Sequence, residues 1–263
     1  MNQYTLTRLT PEGSLAGESG TVTSMSHDAN TVAANMTIDV FFNYFNQLML
    51  INPPSDADRS MVERMAQIGI APGATFNLAN FNTEEQAVMR NIPQMVINDL
   101  ITYGRELLPT VNGWSSTSVD GMGNYGTNYQ FRAFIALTGI GANLPEDAVY
   151  FSAVHLDGTL RYVLRFEADQ IPPVNAFWSL TLYESNYLFD NTLGRYTIGD
   201  RNVVPNSDGS IEIYIQHSSP GTDKEHNWLL SPLNGIYSLT LRAYIPKTEL
   251  INGSWSIPQI IAN

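Results

Sequence analysis

Side chains that could bind a ligand lie along the predicted β-strands in the second half of the chain, where polar and apolar residues alternate. Thr240, Arg242 and Tyr244 share one side of a predicted strand, and the residues between them are apolar. Because successive side chains of a strand point to opposite faces, one face of the sheet carries Tyr, Arg, Thr and Gln. Guanidinium groups bind carboxylates through paired hydrogen bonds, and polar groups in an aromatic-lined pocket orient a ligand. The pattern therefore predicts a surface that can bind a small polar or amphipathic molecule.

Seven residues with these properties are predicted to form the ligand site. They are Tyr129, Arg132, Trp178, Tyr183, Arg195, Tyr196 and Arg242. Each of the three arginines could meet a carboxylate through two hydrogen bonds. The alternative is that this face is solvated, or that helices cover it and the arginines bond to backbone carbonyls. The sequence leaves both interpretations open.

Signals for metal binding and catalysis are weaker. His155, His217 and His226 are the candidate metal ligands, since imidazole nitrogen is a common ligand of zinc. The loop that carries the last two is rich in Pro and Gly and offers no visible supporting residues. The sequence contains no Gly-x-Ser-x-Gly, no His-Glu-x-x-His and no P-loop. We therefore assign no metal site and no catalytic residue.

The stretch Gly121–Gly126 has the spacing Gly-x-Gly-x-x-Gly, which occurs in dinucleotide-binding proteins. That function requires a buried strand directly before the glycines, so that the following helix points at the pyrophosphate. Here residues 115–120 are rich in Ser and Thr and do not form such a strand. No nucleotide cofactor is expected, and the glycines are predicted to form a tight entry to a helix.

Composition restricts the class of protein. The net charge of -12 argues against nucleic acid, because binding phosphates requires clustered Lys and Arg. The chain has no cysteine, which excludes disulfides and thiolate metal sites. No apolar run approaches the roughly 20 residues of a membrane span, and the N-terminal residues do not resemble a secretory signal. A soluble protein is predicted, without an indication of its compartment.

The first half of the chain has helical periodicity. Apolar residues recur at three- and four-residue spacing over Ile38–Met49, which predicts a helix ended by Pro53–Pro54. Further helices are predicted after Asp56, after Thr83, where Gln86 would complete a capping box, and at 128–137. The predicted third helix has roughly twenty residues and contains the helix-disfavouring Pro93.

After residue 145 the period changes to two, and turn dipeptides such as Asp157-Gly158 separate the apolar runs. Short strands without intervening helices predict a sandwich or jelly roll. The fold class is therefore α+β, with an N-terminal helical segment packed on a C-terminal antiparallel β-sandwich of the jelly-roll type. The predicted parts are an arm at 1–29, a helical segment at 30–142 and the sandwich at 143–263, the last two forming one composite unit.

Several blocks after Pro172 occur in an order that is typical of one family. They include Pro172–Tyr183, Arg195-Tyr196, Ile198–Asp200, Asp208–Ser210, Asn227–Leu229, Leu241-Arg242 and Gly253–Trp255. This segment resembles the family called domain of unknown function 1214. The resemblance implies a jelly-roll-like sandwich behind a helical segment, and no particular reaction.

Upstream blocks resemble the helical part of the companion family, domain of unknown function 1254. They are Asn52–Pro54, Ile68–Gly73 and Asn112–Trp114, with Tyr125-Gly126 further on. Full-length relatives carry an additional N-terminal β-domain, so this chain is expected to be a minimal member without it.

Three functions remain as alternatives. The first is a protein that binds a small molecule between the helical layer and the sandwich. The second is an enzyme using the same pocket, metal-dependent or not, of hydrolase or lyase type. The third is an assembly protein, since jelly rolls form rings and shells and a weakly charged surface favours a homo-oligomer.

Overall fold

The computed structural model describes residues 32–33, 35–108, 110–117, 121–139, 141–185 and 187–263. The predicted arm at 1–29 lies outside these residues. The chain divides into two compact units, Met1–Pro93 and Gln94–Asn263. The predicted limits at residues 30–142 and 143–263 stay a prediction.

Helices dominate the first unit, as the periodicity predicted. Helix α1 is Ile38–Ile51, α2 is Arg59–Ala66, and α3 is Thr83–Leu107, which continues through Pro93 into the second unit. The capping box of α3 lies one residue earlier than predicted: the Asn82 and Glu85 side chains each accept a hydrogen bond from the other's backbone N–H, both at 2.9 Å. These two bonds satisfy amides that have no partner inside the helix.

A buried asparagine ties α1 to the loop that follows α2. Asn46 is fully buried, and its Nδ2 donates to the carbonyls of Gly69 (3.0 Å) and Ala74 (2.9 Å). Its Oδ1 accepts from the backbone N–H of Ala71 at 3.0 Å. The apolar core of this unit surrounds α1 and the same loop, and consists of Ile38, Met49, Ile70, Phe76 and Leu78. The inner side of α1 is therefore partly polar.

The second unit contains the strands and two further helices. The strands are β1 Thr110–Val111, β2 Trp114–Ser116, β3 Ala148–Asp157, β4 Tyr162–Phe166, β5 Val174–Glu184, β6 Tyr187–Leu188, β7 Thr197–Gly199, β8 Ile211–Gln216, β9 Trp228–Leu230, β10 Ile236–Pro246 and β11 Ile260–Ala262. The helices are α4 Tyr129–Thr138 and α5 Thr248–Ile251. None of the helices in the described residues is long and apolar enough to cross a membrane.

Within the described residues the strands form two sheets. The seven-stranded sheet has the order β1-β2-β3-β10-β5-β6, with β7 also paired to β5, and the four-stranded sheet has the order β11-β4-β8-β9. The pairs are antiparallel except for β8 with β9, which is parallel. The α+β prediction with a C-terminal antiparallel part is confirmed, and the jelly-roll arrangement stays a prediction.

The main core lies between the two sheets and follows the period-two pattern. Leu180 and Leu241 from the larger sheet share one buried cluster with Leu164 and Ile213 from the smaller sheet. The ring centroids of Phe166 (smaller sheet) and Trp178 (larger sheet) are 5.5 Å apart. The opposite face of the larger sheet is thereby left for the polar side chains.

A strained residue near the end of β10 gives a testable prediction. Ile245 has a φ of 47°, a left-handed conformation that is unfavourable for a β-branched residue. Its side chain is 46% exposed, so little apolar burial would be lost on substitution. Since asparagine tolerates this conformation, Ile245→Asn should raise the free energy of unfolding by about 1 kcal/mol, measured by urea denaturation.

The matched control for this prediction is Ile236→Asn on the same strand. Ile236 is 55% exposed and does not have a positive φ. This substitution should leave stability unchanged or slightly lower, because asparagine is disfavoured in strands. If Ile245→Asn is the less stable of the two variants, the positive φ of Ile245 does not lower the free energy of unfolding.

Candidate ligand-binding site

A row of five hydroxyl side chains crosses the outer face of the larger sheet. Ser152 pairs with Ser115 on one side and Thr240 on the other, Thr240 pairs with Thr181, and Thr181 with Thr197. Directly paired residues point to the same face of a sheet and lie about 5 Å apart. The row therefore presents hydroxyl groups from five adjacent strands side by side.

The next row along the strands contains a positive charge held by tyrosines. Arg242 pairs with Tyr150 on β3 and Ser179 on β5. Its Nη2 donates a hydrogen bond of 2.9 Å to the hydroxyl of Tyr183. The guanidinium carbon lies 5.9 Å from the ring centroid of Tyr150 and 5.5 Å from that of Tyr183. Attraction between the cation and both rings holds the guanidinium on this face.

Residues of α4 and the segment after it border this face, enclosing a cavity of about 470 Å³ that we call the sheet–helix cavity. Its polar side is lined by Ser115, Thr117, Tyr150, Ser152, Thr240 and Arg242. Its apolar side is lined by Leu108, Phe134, Ile135 and Ala142, and Val154 of β3 adds an apolar group on the strand side. The two sides thus differ in chemistry, one suited to hydrogen bonds and charge and the other to apolar groups.

Local sequence fixes α4 at the cavity. The side chain of Asn128 accepts a hydrogen bond of 3.1 Å from the backbone N–H of Phe131 and so caps the helix. Phe131 is buried together with Leu100 and Met122, which anchors the helix through its apolar side. Before the cap, Gly121 has a φ of 80°, so the glycines of the motif form the tight entry to a helix that the sequence predicted. Residues 118–120, directly before the motif, lie outside the described part of the chain.

Burial and charge affect a further tyrosine on the same face. Tyr244 lies two residues beyond Arg242 on β10, and its ring stacks on that of Phe177 with centroids 4.4 Å apart. Burial raises the pKa of the Tyr244 hydroxyl, and the nearby charge of Arg242 acts in the opposite direction. Tyr244 is therefore a neutral aromatic neighbour of the site.

The structure brings two of the predicted site residues together, Tyr183 and Arg242. Arg195 lies elsewhere, where its Nη1 donates to the carbonyls of Glu225 and Trp228, both at 2.8 Å. Its neighbour Tyr196 donates a hydrogen bond of 3.3 Å to Asp190. The guanidinium of Arg195 is thus occupied by backbone carbonyls, one of the alternatives that the sequence left open.

The other three predicted residues do not line the sheet–helix cavity. Tyr129 and Arg132 lie on α4, with the guanidinium carbon 4.8 Å from the tyrosine ring centroid. Trp178 is 1% exposed and belongs to the core between the sheets. These three residues therefore lie outside the lining of the sheet–helix cavity.

The candidate metal ligands are distributed over different elements. His155 lies on β3, His226 lies in a short 3-10 turn, and the Nδ1 of His217 lies 3.1 Å from the carbonyl oxygen of Ser231. Among the described residues, no three His, Asp or Glu side chains gather as they would around a metal ion. The geometry gives these histidines no support as a metal site.

Two other cavities have different linings. One of about 540 Å³ is an open depression that includes Asp190, His217 and Trp228. The other, of about 240 Å³, lies around Trp114 and Trp255. Neither has an arginine in its lining, so the combination of charge, hydroxyl groups and apolar wall distinguishes the sheet–helix cavity from both.

The sequence prediction missed Tyr150, Ser152 and Val154, although the signal was present. These residues alternate along β3 with the buried Val149, Phe151 and Ala153. The same period-two argument places them on the outer face with Arg242. The helical wall of the cavity had no comparable signal, because it depends on contacts between distant parts of the chain.

Comparisons with known proteins agree with the sequence resemblance. Residues 148–248 match the family described as "Protein of unknown function (DUF1214)". No curated protein matches the chain. The companion resemblance to the 1254 family has no match here and stays a prediction.

Two solved structures are similar to the chain. The crystal structure of the VPA0106 protein from Vibrio parahaemolyticus is 22% identical, has a TM-score of 0.56, and matches over 90% of this chain and 57% of its own. A putative uncharacterized protein from Burkholderia cenocepacia is 14% identical, with a TM-score of 0.34, over 82% of this chain and 50% of its own. The chain thus spans about half the length of the structures it matches, and the first likeness shows a shared fold. The family match is thus confined to residues 148–248, and the description of that family assigns no function.

Proposed function

We propose that the protein binds a small amphipathic molecule in the sheet–helix cavity. The observation that carries the proposal is the two-sided lining, with hydroxyl groups and Arg242 on the strands facing apolar residues such as Phe134 and Ile135. The volume of about 470 Å³ lies within the range of small-molecule sites. The hydroxyl groups of Ser152 and Thr240 have no hydrogen-bond partner within the described residues, so they are available to a ligand.

The lining favours binding over the enzyme alternative. The described residues around the cavity include no Asp, Glu or His, the side chains that most often transfer protons in catalysis. Seryl and threonyl hydroxyls without an adjacent base are weak nucleophiles. Binding is therefore the function that this geometry supports best. The assembly alternative stays a prediction of the sequence.

The test uses four probes that have a polar end and an apolar body: 4-phenylbutanoate, 4-phenylbutan-1-ol, octanoate and 1-octanol. A ligand that binds only the folded state raises the melting temperature, and the rise continues with the logarithm of the ligand concentration above Kd. We expect at least one probe to raise the melting temperature in a concentration-dependent way. The variant Val154→Trp should remove this effect, because the 57% exposed Val154 lines the cavity and a larger side chain would fill it.

The matched control is Val204→Trp. Val204 is 48% exposed and does not line the cavity, so this variant should respond to the probes as the unchanged protein does. Two results would overturn the proposal: no response to any of the four probes, or an equal response in Val154→Trp and Val204→Trp.

A further inference from the structure

We infer that the polar end of the ligand is a carboxylate and that Arg242 binds it. This inference rests on the proposed function and names the chemical class of the ligand. It follows from the charge of Arg242, from the hydrogen-bonding groups around it, and from the apolar wall opposite.

The charge of Arg242 is not neutralised by an acidic side chain among the described residues. Arg242 is partly buried, and its guanidinium carries a positive charge. Among the described residues it forms no ion pair with Asp or Glu, although the chain has 25 acidic residues and 13 basic ones. By contrast, Arg165 on the smaller sheet pairs with Glu167 at 2.7 Å and Glu212 at 3.0 Å. A positive charge that lacks an acidic partner and lines a cavity favours an anion there.

The guanidinium of Arg242 is held in place while most of its N–H groups make no side-chain hydrogen bond within the described residues. One of its five N–H groups is used by the hydroxyl of Tyr183, and the rings of Tyr150 and Tyr183 hold the group in place. No other side-chain hydrogen bond of Arg242 forms within the described residues. The remaining N–H groups can therefore donate a parallel pair of hydrogen bonds, which matches the two oxygens of a carboxylate.

The groups around Arg242 also restrict the rest of the ligand. Thr240 lies two residues from Arg242 on the same face, and Ser152 is paired with it, so both hydroxyls can donate to the same end of the ligand. The apolar wall with Phe134 and Ile135 requires an aryl or alkyl body. The net charge of -12 repels ligands with several negative charges. The site thus fits a monocarboxylic acid with an apolar body.

The experiment compares each carboxylate probe with its alcohol on the same skeleton, 4-phenylbutanoate with 4-phenylbutan-1-ol and octanoate with 1-octanol, by isothermal titration calorimetry. The unchanged protein should bind each acid roughly tenfold or more tightly than the alcohol, the effect of a charged hydrogen bond. In Arg242→Gln this preference should vanish while the affinity for the alcohols changes little. Added salt should weaken binding of the acids only.

The matched control is Arg201→Gln. Arg201 also lies over an aromatic ring, with its guanidinium carbon 4.6 Å from the centroid of Phe177, but it does not line the cavity. This variant removes the same charge and should keep the preference for the acids. Equal affinity for acids and alcohols in the unchanged protein would overturn the inference without any variant, and so would a preference that survives in Arg242→Gln. In either case the alcohols would still bind if the proposed function holds, so the two failures are distinguishable.

Discussion

Replacing Asn46 by alanine is expected to destabilise the N-terminal unit by about 4 kcal/mol, because three buried hydrogen bonds are lost together. Asn46 is fully buried on α1 and bonds to the backbone of Gly69, Ala71 and Ala74. Alanine would leave these backbone groups without their partner in a place that water does not reach. The loop after α2 should then lose its fixed position against α1.

Hydrogen exchange measured by mass spectrometry tests this prediction, because it reports each unit separately. All four tryptophans of the chain lie in the second unit, so fluorescence would not report the change. Peptides from residues 38–78 should lose protection in Asn46→Ala, and peptides from β3 and β10 should keep theirs. The control Asn91→Ala removes an exposed asparagine that donates to the carbonyl of Ala87, and should cost less than about 0.5 kcal/mol. Equal protection in both variants would contradict the anchoring role of Asn46.

Asn46 is an example of a buried residue that helical periodicity does not predict. The spacing of apolar residues predicted α1 and its termination correctly, but it gave no role to the polar positions of the helix. In the structure Phe41 is 41% exposed and Leu48 is 52% exposed, whereas Asn46 is buried. A further polar contact joins α1 to a distant residue, since Asp39 accepts a hydrogen bond of 2.8 Å from the N–H of Leu78. Such contacts join residues far apart in sequence, and periodicity within one helix contains no information on them.

Strands were predicted more completely than helices. A period of two indicates the extended conformation and also which side chains share one face of the sheet. The pattern assigned Leu239, Leu241 and Ala243 to the core, and all three are fully buried. It placed Arg242 on the opposite face, where it lines the cavity. The order of the strands was not predictable in this way. The position of β10 between β3 and β5, which brings Arg242 beside Tyr150, depends on pairing across more than 50 residues.

The three candidate arginines also differ through tertiary contacts that the sequence pattern does not contain. Arg132, Arg195 and Arg242 were equivalent in the sequence, since each could bind a carboxylate. Neighbouring groups distinguish them: carbonyls occupy Arg195, and Arg132 lies at a tyrosine ring on α4 outside the cavity lining. A guanidinium is available to a ligand only where the surrounding chain leaves its N–H groups unused. That condition depends on the tertiary structure, so the sequence alone could not rank the three arginines.

A glycine of the family blocks has a physical role at the same sheet, and its replacement is the second large effect that we expect. Gly199 on β7 pairs with Ser179 on β5, the residue that also pairs with Arg242. A Cβ atom at Gly199 would lie 2.2 Å from the carbonyl oxygen of Trp178 and 3.1 Å from the Cα of Ser179. Both contacts are with the backbone of a central strand, which cannot move aside as a side chain could. Gly199→Ala should therefore destabilise the second unit by about 3 kcal/mol.

Urea denaturation followed by tryptophan fluorescence measures this change, because the buried Trp178 reports the core next to β7. The matched control is Gly139→Ala, where a Cβ atom meets nothing within 4 Å and the φ of -168° is ordinary extended backbone. This control should be as stable as the unchanged protein or up to about 1 kcal/mol more stable, since alanine restricts the unfolded chain. If the urea midpoints of the two variants coincide, β7 can move away from β5 without loss of stability. The close backbone approach would then not be the reason for a glycine at position 199. A lower midpoint for Gly199→Ala alone would show that this position admits only a residue without a side chain.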